Sequence, residues 1–324
     1  MTAISVVGGV YHEHCIWPEW DQIFGSGGRA AAAISGHVDR VRLLSYVKPE
    51  INALFQPSTI VYGFNFEPIE AAQAISFEYV HCLSNPVIRT VLERIRPNSP
   101  IDVSDDVVLR FGMLEGTAVI TAKRCIYDPQ SPISPERFSA NGSKASQLAI
   151  VANRAEVSAM SGKSDLIEGA RVLLDDGDEL DVVKSGAAGA FVVKRDQVYH
   201  VPAFASERVW TIGSGDVFAA VFAAYWGVYE ESAESAALLA SRAVAAYAGT
   251  MALPIPAKEG LESEPLLETN TKPGRVYLAG PFFSLGQRWV IDEARNALLG
   301  LGLAVFSPVH DVGRGPAEKV APAD

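Results

Sequence analysis

Short apolar runs rich in Val and Ile recur along most of the chain, with helical patterns between several of them. Runs of this kind suit strands that are buried on both faces. The runs are Ile4–Val7, Val41–Val47, Ile60–Tyr62, Ala118–Thr121, Arg124–Tyr127, Leu148–Ala152, Asp181–Lys184 and Phe191–Lys194. They predict an α/β fold in which helices cover a mostly parallel sheet. Apolar and polar residues alternate in part of Phe77–Leu83, and this segment is expected to form an exposed flap.

The composition changes after two Ala-rich helical segments, one opening at Gly215-Asp216 and one from Glu231 to Ala248. Leu253–Pro273 is rich in Pro, Glu, Lys, Thr and Asn and has few large apolar residues, which is typical of an interdomain linker. The predicted organisation is a large domain over residues 1–256, a linker over 257–274 and a small unit over 275–324.

The small unit is predicted to be a single β-α-β motif. Its strands are Arg275–Ala279 and Ala304–Ser307, and its helix is Gln287–Leu299. Two strands cannot bury both faces of a parallel sheet. The unit must therefore lean on the first domain or on a second subunit, as in a homodimer, or be a truncated domain.

Charge and cysteine content exclude several classes of function. The chain has 27 basic and 38 acidic residues and a net charge of −11, without a basic run, so nucleic acid is not an expected partner. Three widely spaced cysteines without metal-ligand spacing favour free thiols in a reducing compartment. The longest apolar stretch, Val217–Val228, is too short to span a bilayer, and the N-terminus does not resemble a signal peptide. We expect a cytoplasmic protein without a membrane partner.

The strongest chemical signal is Thr211–Asp216, directly before the apolar helix. Gly213, Ser214 and Gly215 are small enough for backbone amides to converge at a helix N-terminus, which forms an anion site suited to a phosphoryl group in transfer. Asp216, in the first turn, would accept a proton from an attacking hydroxyl. The alternative is a glycine turn capped by Ser or Asp, with no catalytic role.

Asn153 and Glu156 follow the strand Leu148–Ala152 and share one helix face. An amide and a carboxylate in this arrangement can orient water on Mg²⁺. The same spacing is that of a capping box, so a purely structural role explains the pair equally well.

Two further segments are rich in small residues. Lys184–Ala190, with Ser185, Gly186 and Gly189, forms a turn between two apolar strands that a nucleotide could approach closely, or a plain hairpin. Near the N-terminus, Glu13 follows Gly8-Gly9, and Gly25–Gly28 opens an Ala-rich helix. Glycines at strand ends line clefts in open α/β sheets.

Taken in order, these segments resemble the ribokinase, or phosphofructokinase-B, family of sugar and nucleoside kinases, over residues 1 to about 256. Gly213–Asp216 resembles its anion-hole and catalytic-base signature, Asn153…Glu156 its metal and phosphate motif, and Lys184–Gly189 its nucleotide loop. Asp128-Pro129-Gln130 and Ala245–Thr250 are also similar to family sequence. The resemblance implies a ribokinase-like three-layer αβα domain with ATP and Mg²⁺ as cofactors.

The resemblance is weaker on the substrate side. It implies that Glu13, Gly27 and Gly28 contact the small-molecule acceptor. Glu13, however, stands where the family usually has Asp, and Ala32 falls about where it commonly has Asn. The residues that match the family's phosphoryl-transfer motifs are present, whereas residues at its substrate-contacting positions differ. This pattern favours an unusual substrate over an inactive enzyme.

The small C-terminal unit resembles the opening of flavodoxin-like nucleoside 2-deoxyribosyltransferases. Tyr277, Gly280 and Asp311 match its nucleoside-contacting positions, while the nucleophilic Glu of that family would lie beyond Asp324. Alternatively, these residues only build a docking unit.

The sequence thus predicts a kinase that phosphorylates a hydroxyl of a sugar or nucleoside. One rival hypothesis is a ligand sensor that kept the kinase fold. The other is a deoxyribosyltransferase or hydrolase in which the kinase-like domain is a scaffold.

Overall fold

The computed structural model describes residues 1–131, 134–174, 179–269 and 275–313. The strands are β1 Ala3–Val7, β2 His12–Trp17, β3 Trp20–Ile23, β4 Arg40–Val47, β5 Asn65–Glu70, β6 Ser76–His81, β7 Val87–Arg89, β8 Ile101–Phe111, β9 Ala118–Asp128, β10 Lys144–Asn153, β11 Leu180–Lys184, β12 Ala190–Val193, β13 Val198–Val201, β14 Arg275–Tyr277 and β15 Ala304–Phe306. The helices are α1 Gly25–Ile34, α2 Pro49–Tyr62, α3 Arg154–Ser161, α4 Leu166–Leu174, α5 Ser214–Phe222, α6 Ala233–Thr250, α7 Lys258–Ser263, α8 Leu285–Gly300 and α9 Pro308–Asp311.

A nine-stranded sheet with the order β13-β12-β11-β10-β9-β8-β1-β4-β5 forms the centre of the molecule. The strands from β5 to β11 pair in parallel, and β12 and β13 continue the sheet antiparallel. The mostly parallel sheet predicted from the apolar runs is confirmed.

Both faces of this sheet are buried. Successive residues of β1 serve opposite cores, because Val6 packs with α1, α2, α5 and α6, whereas Val7 packs with α3 and α4. Side chains that alternate between two apolar layers explain why the strands read as continuous apolar runs. The result is a three-layer αβα arrangement, as the resemblance implied.

Alanine allows the helices of one layer to pack closely. Ala30–Ala33 of α1, Ala219 and Ala220 of α5, and Ala240 and Ala243 of α6 are all fully buried. A small side chain at a helix contact lets the backbones approach, and this places the N-terminal turns of α1 and α5 side by side at one end of the sheet. The two helices predicted from their Ala content are confirmed.

A second sheet, with the order β3-β2-β6-β7, stands beside that end. The segment predicted as an exposed flap forms β6, which pairs in parallel with β2. Because β2 carries Glu13, this small sheet supplies one side of the candidate site.

The predicted strand at Ile60–Tyr62 is wrong, because these residues form the last turn of α2. Ile60 is 80% and Val61 76% exposed, so neither enters a core. The buried residues of α2 are Phe55 and Thr59, four positions apart, and Gly63 at φ 72° ends the helix. A three-residue apolar run does not distinguish a strand from the end of a helix.

The C-terminal unit has the predicted β-α-β order, with β14 and β15 in parallel. It leans on the first domain, since Leu301 at the end of α8 accepts a hydrogen bond from the Ala187 amide at 3.3 Å, and His81 contacts Glu293 at 3.1 Å. Of the segment predicted as a linker, residues 258–263 form α7, whose Leu261 is buried, and residues 270–274 lie outside the described part. No helix in the described ranges combines the length and apolar character that crossing a bilayer demands.

Candidate active site

The anion-binding turn predicted from the glycines lies at the N-terminus of α5. Gly213 adopts φ 75°, and a Cβ there would lie 2.1 Å from the Arg29 Nε, so only glycine fits. Ser214 and Gly215 begin the helix. The first amides of a helix have no carbonyl partner within it, so this turn has the geometry of an anion site.

Asp216 lies in the first turn of α5 and is 8% exposed. Its Oδ2 accepts a hydrogen bond from Arg29 Nη1 at 2.8 Å, and its Oδ1 accepts one from Gln130 Nε2 at 2.6 Å. The carboxylate is therefore held beside the anion turn by two donors from different elements. It has the position that a general base for a neighbouring hydroxyl requires.

Arg29 on α1 connects Asp216 to Glu13 on β2. The guanidinium is fully buried. Its Nη2 lies 2.5 Å from Glu13 Oε2, and its Nε donates a hydrogen bond to the Tyr247 hydroxyl at 3.1 Å. Burial tends to lower the pKa of Arg29, but Glu13, Tyr247 and Asp216 outweigh it, so the pKa is raised well above the ordinary value. Burial raises the pKa of Glu13, and Arg29 only partly opposes this.

Sequence reasoning did not include Arg29. Its signal is a single charged residue that interrupts an otherwise small and apolar helix start, followed by Ala30–Ala33. Such a cation in a buried helix needs carboxylate partners. These partners are the two acids, Glu13 and Asp216, already singled out on other segments.

Gly27 and Gly28 serve close packing. A Cβ at Gly27 would lie 2.7 Å from the Gly8 carbonyl oxygen, and one at Gly28 would lie 3.0 Å from the Phe55 ring. The Gly27 amide donates to the Gly9 carbonyl at 3.0 Å. Gly27 is needed to seat α1 on the end of β1 and Gly28 to make room for Phe55 of α2, so packing accounts for both glycines.

Lys184, at the end of β11, reaches the anion turn. Its Nζ lies 2.5 Å from Asp128 Oδ2 and 3.4 Å from where a Cβ would stand on Gly215. Asp128 is the last residue of β9, and its Oδ1 is buried without a hydrogen-bond partner in the described residues. Both residues belonged to predicted motifs, but their pairing across two strands was not foreseen.

The Lys184–Asp128 pair is strongly perturbed. Burial raises the pKa of Asp128 to about 7, with Lys184 opposing the shift. Burial tends to lower the pKa of Lys184, but Asp128 and Glu156 outweigh it, so the pKa is raised. The side chain of Lys184 thus keeps its positive charge next to the N-terminus of α5.

The predicted nucleotide loop joins β11 to β12, which pair antiparallel, so it is also a hairpin. Gly186 and Gly189 have φ of 56° and 83°, and a Cβ at Gly189 would lie 2.0 Å from the Val201 carbonyl oxygen. Ser185 is 2% exposed, and its Oγ lacks a hydrogen-bond partner in the described part of the chain. An unpaired buried hydroxyl in this loop is a candidate hydrogen-bond partner for an ordered water or a polar ligand.

Asn153 and Glu156 form the capping box of α3. The Glu156 amide donates to Asn153 Oδ1 at 3.0 Å, and the Asn153 amide donates to Glu156 Oε2 at 2.8 Å. The structural alternative is therefore realised, and it does not exclude a metal role. Glu156 is 2% exposed and acts electrostatically on Asp128 and Lys184.

Parts of this chain are similar in sequence to known proteins. Residues 124–257 match the pfkB family carbohydrate kinase family, a stretch that includes Asp128, Lys184 and Asp216. A deoxyribokinase from Salmonella typhimurium is 41% identical over 78 residues, which are 23% of this chain and 26% of that protein. The match thus spans about a quarter of the length of these curated relatives.

Solved structures extend the likeness to most of the chain. A ribokinase from Thermotoga maritima superposes with a TM-score of 0.58 at 18% identity, covering 81% of this chain and 99% of that one. The fold is ribokinase-like. A nucleoside kinase from Methanocaldococcus jannaschii gives a TM-score of 0.59 at 14% identity, with coverage of 81% and 97%. Kinases of the PfkB and ribokinase families are phosphotransferases.

The C-terminal unit contributes no group to the centre of the ribokinase-like site within the described residues. A Cβ at Gly280 would lie 2.4 Å from Ile291, the Tyr277 ring lies 5.6 Å from that of Phe306, and Asp311 Oδ2 accepts from the Ser307 amide at 2.6 Å. Packing and turn formation account for all three predicted nucleoside contacts. A cleft of about 320 Å³ between α8 and α9 is lined by other residues: Arg288, Asp292, Val309, His310 and Gly313.

Proposed function

We propose that the protein is a Mg²⁺- and ATP-dependent phosphotransferase that acts on a hydroxyl of a sugar or nucleoside. The observation that carries the proposal is the buried carboxylate of Asp216, beside a glycine-built helix N-terminus and the ammonium of Lys184. A base, an anion site and a cation at one place are the groups that phosphoryl transfer uses.

The donor side of the proposed site consists of Lys184 and Ser185, because the loop amides from Ala187 to Gly189 already donate to carbonyl oxygens of the chain. Lys184 would bind phosphate oxygens as a point charge. The unpaired Oγ of Ser185 would donate a hydrogen bond to the nucleotide. When bound, ATP supplies the phosphoryl group, and the amides of Gly213 and Gly215 would stabilise the charge that develops on it, whereas the Ser214 amide already donates to the Thr211 carbonyl oxygen.

The charges of the site fit a divalent cation. Asp216 and Glu13 share the cation of Arg29, and Asp128 and Glu156 both act on the one ammonium of Lys184. These acidic groups outnumber the two cations, which leaves an excess of negative charge. The described residues contain no group of three donors that could chelate a metal directly. Mg²⁺ commonly keeps its water and binds through few carboxylates and the substrate phosphates, so Glu156 and Asn153 would orient its water shell.

On the acceptor side, Asp216 would take the hydroxyl proton as the oxygen attacks the phosphorus. Glu13 lies across Arg29 from Asp216, so the acceptor would bind between the small sheet and α5. Because the curated relatives in the local match are deoxyribokinases, deoxyribose and ribose are the first acceptors to test, followed by nucleosides.

A two-stage experiment tests the proposal. A thermal-shift screen of sugars and nucleosides, with an ATP analogue and Mg²⁺, finds ligands because a ligand that binds the native state raises its stability. ADP formation is then measured with ATP and each hit. We expect ADP formation that depends on both Mg²⁺ and the acceptor. Binding of nucleotide and acceptor without turnover would instead identify a non-catalytic sensor.

A further inference from the structure

Both oxygens of the proposed base are already hydrogen-bonded. Arg29 donates to Asp216 Oδ2 and Gln130 donates to Oδ1, and only 11% of the side chain of Asp216 is exposed. A hydroxyl must reach a lone pair of this carboxylate before its proton can transfer. Each carboxylate oxygen keeps a second lone pair, but so little of this side chain is exposed that a hydroxyl can approach it only where one of the two donors makes room.

Arg29 cannot be the donor that leaves. It is fully buried and also bonded to Glu13 and Tyr247, and Gly213 of the anion turn is built against it. Removing the guanidinium would leave two buried carboxylates without their cation, which is strongly destabilising. Arg29 is a fixed part of the site.

Gln130 has the features of a replaceable donor. It is half-buried, and it follows Asp128-Pro129 at the end of β9 with φ 50°, a conformation uncommon for a residue other than glycine. Its neighbour Pro129 is fixed, because a Cβ at Gly112 would lie 1.9 Å from the Pro129 carbonyl oxygen. The tight turn thus aims a neutral amide at the base.

We propose that Gln130 is a positioning residue that covers Asp216 until an acceptor hydroxyl takes the place of its amide. The inference rests on the proposed kinase function. Water lacks further contacts with which to displace the amide, whereas a polyhydroxyl acceptor that is held elsewhere has them. Gln130 therefore makes the site select sugar-like acceptors over hydrolysis of the donor.

Gln130 would control access to the transfer step, in which one bond to phosphorus forms and another breaks. The acceptor oxygen forms a bond to the γ-phosphorus, and the bond from that phosphorus to the β,γ-bridging oxygen breaks, so that ADP leaves with the electron pair. The hydroxyl proton passes to Asp216 and then to solvent. With water as the attacking group, the same step yields free phosphate.

The test compares Gln130→Ala and Gln130→Asn with wild type, using ATP, Mg²⁺ and deoxyribose or the best acceptor of the screen. We expect both variants to lower the acceptor KM about tenfold, because the acceptor no longer competes with a hydrogen bond to a charged group. Hydrolysis of ATP without acceptor should rise about fivefold or more, while kcat for transfer changes less than threefold. Gln147→Ala, which removes an amide bonded to Arg124 far from the site, is the matched control.

The outcomes separate the two claims. If wild type shows no acceptor-dependent ADP formation with any ligand, the proposed function and this inference both fail. If wild type transfers phosphate but the Gln130 variants match Gln147→Ala in KM and hydrolysis, only the inference fails. A loss of kcat with unchanged KM would also overturn it. Thermal unfolding of both Gln130 variants verifies that they fold, and the asparagine variant keeps the amide chemistry if alanine is not tolerated.

Discussion

Asp216 combines a helix N-terminus, two hydrogen-bond donors and burial in one residue. The two donors, Arg29 and Gln130, come from α1 and from the turn after β9. An amide in place of the carboxylate would keep the size of the side chain but lose its basicity. The role proposed for Asp216 can therefore be tested with a change of one atom.

We predict that Asp216→Asn lowers kcat by roughly 10²-fold or more, while binding of the ATP analogue survives, as expected for loss of a general base. Steady-state kinetics and a thermal shift with the analogue measure the two properties. Asp102→Asn, at an exposed carboxylate on β8, is the control. Turnover equal to wild type would exclude Asp216 as the base.

The Lys184–Asp128 pair predicts a pH effect on stability. Burial raises the pKa of Asp128 to about 7, above the ordinary value of about 3.9, so the folded protein holds this proton more tightly than the unfolded chain does. Between these two pKa values the unfolded state binds fewer protons, and stability falls as pH rises. Above about pH 7 the contribution no longer changes.

Asp128→Asn removes this titration. We expect the melting temperature of wild type to fall between pH 5 and pH 7.5 by about 2 °C or more relative to the variant. Melting curves at both values in matched ionic strength measure the difference. Identical pH dependence in the two proteins would show that the carboxyl of Asp128 titrates with its ordinary pKa.

At the residue scale, the sequence predicts those chemical groups that belong to local patterns. Asp216 and Lys184 stand in short motifs, and the structure places them around one turn. Arg29 and the bond from Gln130 to Asp216 depend on which helices and strands become neighbours. Contacts between residues 187 positions apart, as for Arg29 and Asp216, have no local signature.

At the scale of elements, α3 shows how one residue can serve structure and chemistry together. Asn153 and Glu156 cap the helix reciprocally, and Glu156 also contributes charge to the site. Gln is accepted at the same capping-box position because its side-chain oxygen can accept the bond from the N-cap amide. A change to Gln therefore separates the two roles.

We predict that Glu156→Gln raises the Mg²⁺ concentration needed for half-maximal activity, while the melting temperature changes little because the box persists. Glu156→Ala should raise the Mg²⁺ requirement and also lower the melting temperature, because the Asn153 amide loses its acceptor, at a cost of about 1 kcal/mol. A Mg²⁺ titration and a melting curve on each variant make the comparison. If Glu156→Gln keeps the wild-type Mg²⁺ dependence, capping alone explains the motif.

The elements themselves could be predicted where burial on both faces imposes a long apolar run, as in β1, β4 and β10. The apolar end of α2 could not be predicted. Ile60 and Val61 are exposed, so their apolar character does not indicate which face of the helix is buried. The antiparallel pairing of β12 with β11 depends on the tight loop at Gly186–Ala188, and that of β13 with β12 on the turn closed by Lys194 and Gln197, rather than on strand composition.

In the whole molecule, the two strands and the long helix of the C-terminal unit lie beside the nine-stranded sheet without joining it. Its contacts reach both sides of the candidate site. Leu301 accepts from the Ala187 amide in the loop from Ser185 to Gly189, and Glu293 contacts His81 at the end of β6. The unit thus connects the loop that would hold the donor to the sheet that carries Glu13.

We predict that deletion of residues 275–324 lowers the melting temperature of the remaining ribokinase-like domain. The loop from Ser185 to Gly189 loses a packed neighbour, since a Cβ at Gly186 would lie 3.1 Å from the Leu301 carbonyl oxygen, and the Ala187 amide loses its hydrogen-bond acceptor. We expect a fall of about 2 °C or more, together with a changed KM for ATP. Glu293→Gln removes only the half-exposed contact to His81 and should alter stability by less than about 0.5 kcal/mol. An unchanged melting temperature and unchanged kinetics after deletion would show that the unit is an independent appendage, and that its position over the nucleotide loop has no consequence for the site.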